Sequence, residues 1–140
     1  MRNEGPLVAV ARALDAQALA SLAALAGALE DLEAARARLS EATARAREVA
    51  QHDNDVRGVV SGRSLQVARA RAARVMAEAE RCQGERGAAT LALKHAERAV
   101  ERARGSAIEA LTRCRVVREQ VDALAVALAR RAEEREAEGD

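Results

Sequence analysis

Apolar and polar positions alternate along this chain at steps of three and four residues, with one clear interruption. From Leu7 to about Gln51 the register Leu25, Ala28, Leu32, Ala35, Leu39, Ala42, Ala46, Val49 marks one face of a helix with a heptad period. Leu7, Leu14, Leu22 and Leu29 widen the stripe upstream, which suits contact with more than one neighbour. Gly5-Pro6 opens this helix in the expected way, because proline in the first turn has no amide to leave unpaired.

The run from His52 to Arg63 breaks the pattern with Asn, Asp, Ser and two Gly, the residues of turns. A second register then starts at Leu65. It runs through Ala68, Ala72, Val75, Ala79, Cys82, Arg86, Ala89, Leu93, Ala96, Val100, Ala103, Ala107, Ala110, Cys114, Val117, Val121, Leu124 and Leu128, and only Arg86 is charged. Gly84, Gly87 and Gly105 each cost a helix about 1 kcal/mol relative to Ala. Ser106 and Glu109 have the spacing of a capping box. The register does not slip across these points, so the spacing predicts one continuous helix.

The expected fold is therefore all-α: a single coiled-coil domain over residues 1–140, folded as an antiparallel two-helix hairpin of unequal arms. Helix 1 is expected over about 6–51, a turn over 52–63, and helix 2 over about 64–136. Folding at that turn would set Val49 beside Leu65 and Leu7 beside Ile108. Leu111, Cys114, Val117, Val121, Leu124 and Leu128 would then overhang as an apolar seam in need of a partner. The alternative is a three-helix bundle with a turn near Gly84–Gly87.

Composition sharpens this picture. Ala is about a quarter of the chain, the bias of long helices. No Phe, Tyr or Trp is present, so a globular core would lack its largest packing units. The formal charge is +1, from 23 basic and 22 acidic residues, and supplies no global field toward nucleic acid or an anionic membrane. All the basic residues but Lys94 are arginine, which with so much Ala points to a GC-rich bacterial genome. The amino end lacks the regions of a signal peptide. The apolar stretch Leu7–Leu29 contains Arg12, Asp15, Gln17 and Ser21, which argues against a membrane span. A soluble, cytoplasmic protein is the expectation.

Candidate chemistry is sparse. Cys82 and Cys114 sit on the seam more than four turns apart, too far for a mutual disulfide, and read as small buried hydrophobes. An interchain link at Cys114 is the functional alternative. Asp53, Asp55 and Gly58 begin like a calcium loop, but Arg57 stands at the fifth position and Ser64 at the twelfth, where a bidentate Glu is needed. His95 has no second ligand one turn on. Phosphate-binding and nucleophile motifs are absent, so no enzyme, cofactor, metal or small-molecule substrate is expected. Glu41–Arg45 and Glu109–Arg113 are i,i+4 pairs of a solvated face. Arg63, Arg69, Arg71 and Arg74 are locally basic, but without aromatics to stack on bases a nucleic acid is the weaker choice of partner.

Two unequal helices in about 140 residues, with the segment Leu7-Val8-Ala9-Val10-Ala11-Arg12-Ala13-Leu14 leading to Leu25, Leu29 and Leu32, resemble the FliJ/YscO-like stalk proteins of type III secretion systems. The resemblance rests on architecture and composition over nearly the whole chain. It implies a rod that enters the central hole of a hexameric secretion ATPase and also touches the export gate. Family members often carry aromatics near the hairpin tip. Here the tip offers Val56, Val59, Val60 and Leu65, so no gate-contacting residue is carried over. A self-assembling homo-oligomeric scaffold is the competing expectation.

Overall fold

The computed structural model describes residues 5–57 and 65–139. They form two helices, α1 (Pro6–Arg57) and α2 (Leu65–Gly139), packed on each other as an antiparallel hairpin. At the start of α1 the Gly5 carbonyl accepts hydrogen bonds from the amides of Val8 and Ala9 at 2.9 and 3.4 Å, and Pro6 takes the first helical position.

The chain divides into two compact units, Met1–Gly27 with Glu101–Asp140, and Ala28–Val100. In the second unit Leu32, Ala35, Ala42 and Cys82 are buried, and Leu39, Ala46, Val49, Ala72, Val75, Ala79 and Leu93 are half-buried. In the first unit Ala18, Ala110 and Cys114 form a buried cluster with Leu14 packed against it, and Ala107 is buried beside them. These are the residues of the two heptad registers. From Ala68 to Val121 every member of the α2 register is buried or half-buried except Arg86, whose charge keeps it exposed.

Two features differ from the sequence expectation. First, α1 does not stop at Gln51 but carries on through His52 to Arg57. Asp and Asn are only mildly unfavourable in a helix interior, and the run from His52 to Arg57 is helical. As the unbroken register predicts, α2 is continuous through Gly84, Gly87 and Gly105, and the alternative bundle with a turn near Gly84–Gly87 does not form. None of the described glycines has a positive φ.

The second difference is the pairing level. In the Ala28–Val100 unit Arg45 reaches Glu85 at 3.8 Å, which puts Val49, one turn on, near Arg81 rather than Leu65. In the other unit Arg118 meets Asp15 at 2.9 Å, which puts Leu7 at the level of residues 125–126 rather than Ile108. The partner level has moved along α2 by about 16 residues in one unit and about 17 to 18 in the other, and a heptad pattern keeps the same faces apolar over such a slide. Periodicity decides which face is buried. It leaves the register open.

The overhang therefore changes character. Leu111 and Cys114 lie alongside α1 instead of beyond it. What extends past Leu128 is Ala129–Gly139, dominated by Arg130, Arg131, Glu133, Glu134, Arg135, Glu136 and Glu138, which water solvates without a partner.

A methyl group added at Gly84, Gly87 or Gly105 meets no other atom within 4 Å. Replacing each by Ala is expected to raise stability by about 0.5–1 kcal/mol, because the unfolded backbone loses freedom and nothing in the fold is crowded. Urea unfolding of the triple variant, followed by circular dichroism, measures it. A fall in the midpoint would mean that α2 bends at these positions.

Candidate functional site: an apolar groove with a charged rim

In the unit formed by Met1–Gly27 and Glu101–Asp140, α1 and α2 enclose an open groove of about 470 Å³. Ala18 and Cys114 form its floor, and Leu19, Leu22 and Leu111 its apolar walls. Asp15, Arg115, Arg118, Glu119 and Asp122 stand along its edge. Leu19 is 69% exposed, more than any other large apolar residue of the described chain. It sits one position after the seam residue Ala18, so it belongs to a second stripe, beside the one that faces α2. Leu22 shares that stripe. Together they leave apolar surface in water beside the charged edge of the groove.

The grooves of the Ala28–Val100 unit are different. One has a floor of Ala42, Ala88, Ala89 and Ala92 framed by Arg38, Glu41, Arg45 and Glu85, with no large apolar side chain. Another combines Thr43, Ala46, Ala50 and Ala79 with Arg47, Gln83 and Arg86. Their alanine floors offer little area for hydrophobic burial, which contributes about 25 cal/mol per Å².

Electrostatics centres on Cys114. It is a free thiol, 7% exposed. Its pKa is raised above the ordinary 9.0, first by desolvation, then by the charge of Asp15 and a hydrogen bond to that carboxylate, with Arg118 opposing. Such a thiol holds little thiolate near neutrality, the reverse of an activated nucleophile. Arg118 donates from Nη2 to Asp15 Oδ1 at 2.9 Å, bridging the two helices over the thiol. Both side chains are substantially exposed, so the pair is worth less than about 1 kcal/mol.

Other polar groups are engaged locally. The hydroxyls of Thr90 and Thr112 donate to the carbonyls of Arg86 and Ile108, each at 2.8 Å. The expected pairs Glu41–Arg45 and Glu109–Arg113 are formed at 4.0 and 3.9 Å. Among the described residues no group of three or more His, Cys, Asp or Glu is placed to hold a metal ion. His52 and His95 are exposed.

The residues expected to bind a partner are thus distributed differently. Leu111 and Cys114 line the groove, Val117 and Val121 are half-buried, and Leu124 and Leu128 are exposed. Of the expected tip, Val56 falls in the last turn of α1, while Val59 and Val60 lie outside the described residues. Arg69, Arg71 and Arg74 are exposed, and Arg63 lies outside the described residues. Leu19 and the Asp15–Arg118 pair escape a reading of the sequence, because they matter only once the register is known. Part of α1 is also long and apolar enough to cross a membrane by length and composition.

No family model, curated protein or solved structure matches this chain.

Because Asp15 raises the Cys114 pKa, Asp15→Asn is expected to speed alkylation of that thiol severalfold at pH 8, measured in a Cys82→Ser background. An unchanged or slower rate would show that the carboxylate does not act on the thiol. The sign for stability follows. The folded pKa is raised, so the contribution of Cys114 to folding is complete below pH 9.0 and is lost as pH rises through the folded value.

Proposed function

We propose that this chain is a non-catalytic coiled-coil hairpin that works by docking onto other proteins, as a cytoplasmic stalk or adaptor that engages a hexameric secretion ATPase of a type III apparatus. The observation that carries the docking reading is the groove between Leu19, Leu22 and Leu111, whose apolar walls are framed by charged residues. A surface of this kind gains free energy when a partner removes it from water, and the rim charges select which partner fits. The ATPase reading draws on the two unequal helices of the hairpin, the architecture that the resemblance to the stalk family implies. Contact with an export gate belongs to the same proposal.

The direct test mixes the full chain with the hexameric type III ATPase encoded in the same genome. Co-elution and an altered rate of ATP hydrolysis are expected. Leu19→Glu should weaken binding by roughly tenfold or more, because it places a charge on the apolar wall. Absence of co-elution, or full binding by Leu19→Glu, would sink this function.

A further inference from the structure

The grooves between α1 and α2 differ in the charges that line them. The one beside Leu19 carries both signs, with Asp15 and Asp122 near Arg115 and Arg118. The one over Ala42 also carries both, Arg38 and Arg45 with Glu41 and Glu85. A third, of about 490 Å³ in the Ala28–Val100 unit, carries one sign alone. Arg47 of α1 and Arg86 of α2 line it with Thr43 and Gln83 above an alanine floor, and no carboxylate lines it.

These four side chains share a second property. Arg45, Arg81, Arg113, Arg115 and Arg118 each reach a carboxylate, whereas Arg47 and Arg86 form no ion pair among the described residues. The hydroxyls of Thr90 and Thr112 are satisfied by carbonyls one turn back, whereas Thr43 and Gln83 have no hydrogen-bond partner among the described residues. Arg86 is also the one charged member of the α2 register. A charge there forgoes the burial that Ala would gain, and no acidic partner within the described chain offsets the loss.

We propose that this groove binds a phosphate group, held from both helices by the guanidiniums of Arg47 and Arg86, with Gln83 and Thr43 as further donors. Each guanidinium presents N–H donors in a fork that matches phosphate oxygens. Two positive charges balance a phosphate dianion, whereas a single carboxylate balances only one of them. The chain has no aromatic residue on which a base could stack, so the phosphate itself carries recognition, whether free or at the end of a nucleotide. No glycine-rich loop is involved. The donors come together only through the pairing of α1 with α2. The groove belongs to a different unit from that of Leu19, Leu22 and Leu111, and its occupancy is independent of the secretion reading.

Nuclear magnetic resonance of the arginine Nε–Hε groups, in the full chain at pH 8 and constant ionic strength, tests this with inorganic phosphate, ADP and acetate. Phosphate should shift the Arg47 and Arg86 signals saturably, with half-saturation at least tenfold below that of acetate. ADP that binds more tightly than phosphate supports a nucleotide tail as the source, and ADP that binds equally or less tightly supports free phosphate. Arg47→Gln should weaken phosphate binding tenfold or more, because it removes a charge-assisted contact. Arg98→Gln, which removes the same charge away from the groove, should leave binding unchanged. Arg47 is exposed, and circular dichroism verifies that its variant folds. Absence of saturable shifts overturns the proposal, as does equal weakening by Arg47→Gln and Arg98→Gln. Acetate that binds as tightly as phosphate overturns it too, and assigns the groove to carboxylates.

Discussion

The close approach of α1 and α2 rests on small side chains at the positions where the helices meet, and the rest of the molecule follows from that choice. Among the described residues, seven of the eight buried apolar ones are Ala or Cys, with Leu32 the exception. Small residues allow helix axes to approach toward the short end of the 8–10 Å range. They also bury little area each, so no single contact dominates stability. Among the described residues no large side chain is fully buried. The interface holds through repetition along two long helices, and a larger residue on the seam would force the helices apart at a cost of about 1–3 kcal/mol.

The same constraint makes the groove. Where the seam is built from Ala18, Ala110 and Cys114, the larger Leu19, Leu22 and Leu111 stand beside it, partly in water. The fold thus creates apolar surface as a consequence of its own packing. The Asp15–Arg118 pair adds little stability at its exposure, but it joins one level of α1 to one level of α2 and so disfavours slides of the register. Structure and docking surface have one origin.

Fold class and buried face were legible in the sequence because a 3.5-residue period has one physical meaning. Continuity of α2 through Gly84, Gly87 and Gly105 was legible for the same reason: the register runs on unbroken across them. The extent of α1 was harder to place, since His52-Asp53-Asn54-Asp55 has turn composition yet is helical. The pairing level was not legible at all. Sliding two alanine-rich seams by two heptads changes few contacts, so the choice depends on sparse features such as Arg45 with Glu85 and Asp15 with Arg118. The groove inherited that limit. Leu111 and Cys114 could be singled out as apolar, but that they face Ala18, Leu19 and Leu22 required the register.

The register is therefore the central claim, and a disulfide test reaches it most directly. In a Cys82→Ser background, Ala18→Cys should oxidise readily with Cys114 to give an intrachain bond, because the two positions share one buried cluster and a disulfide needs Cα atoms within about 7 Å. Leu7→Cys in the same background should not, since it lies about three turns along the helix from that level. An intrachain bond from Ala18→Cys alone is the result this account predicts. Bonding from Leu7→Cys instead, or no intrachain bond at Ala18→Cys, would contradict the register and the groove built on it.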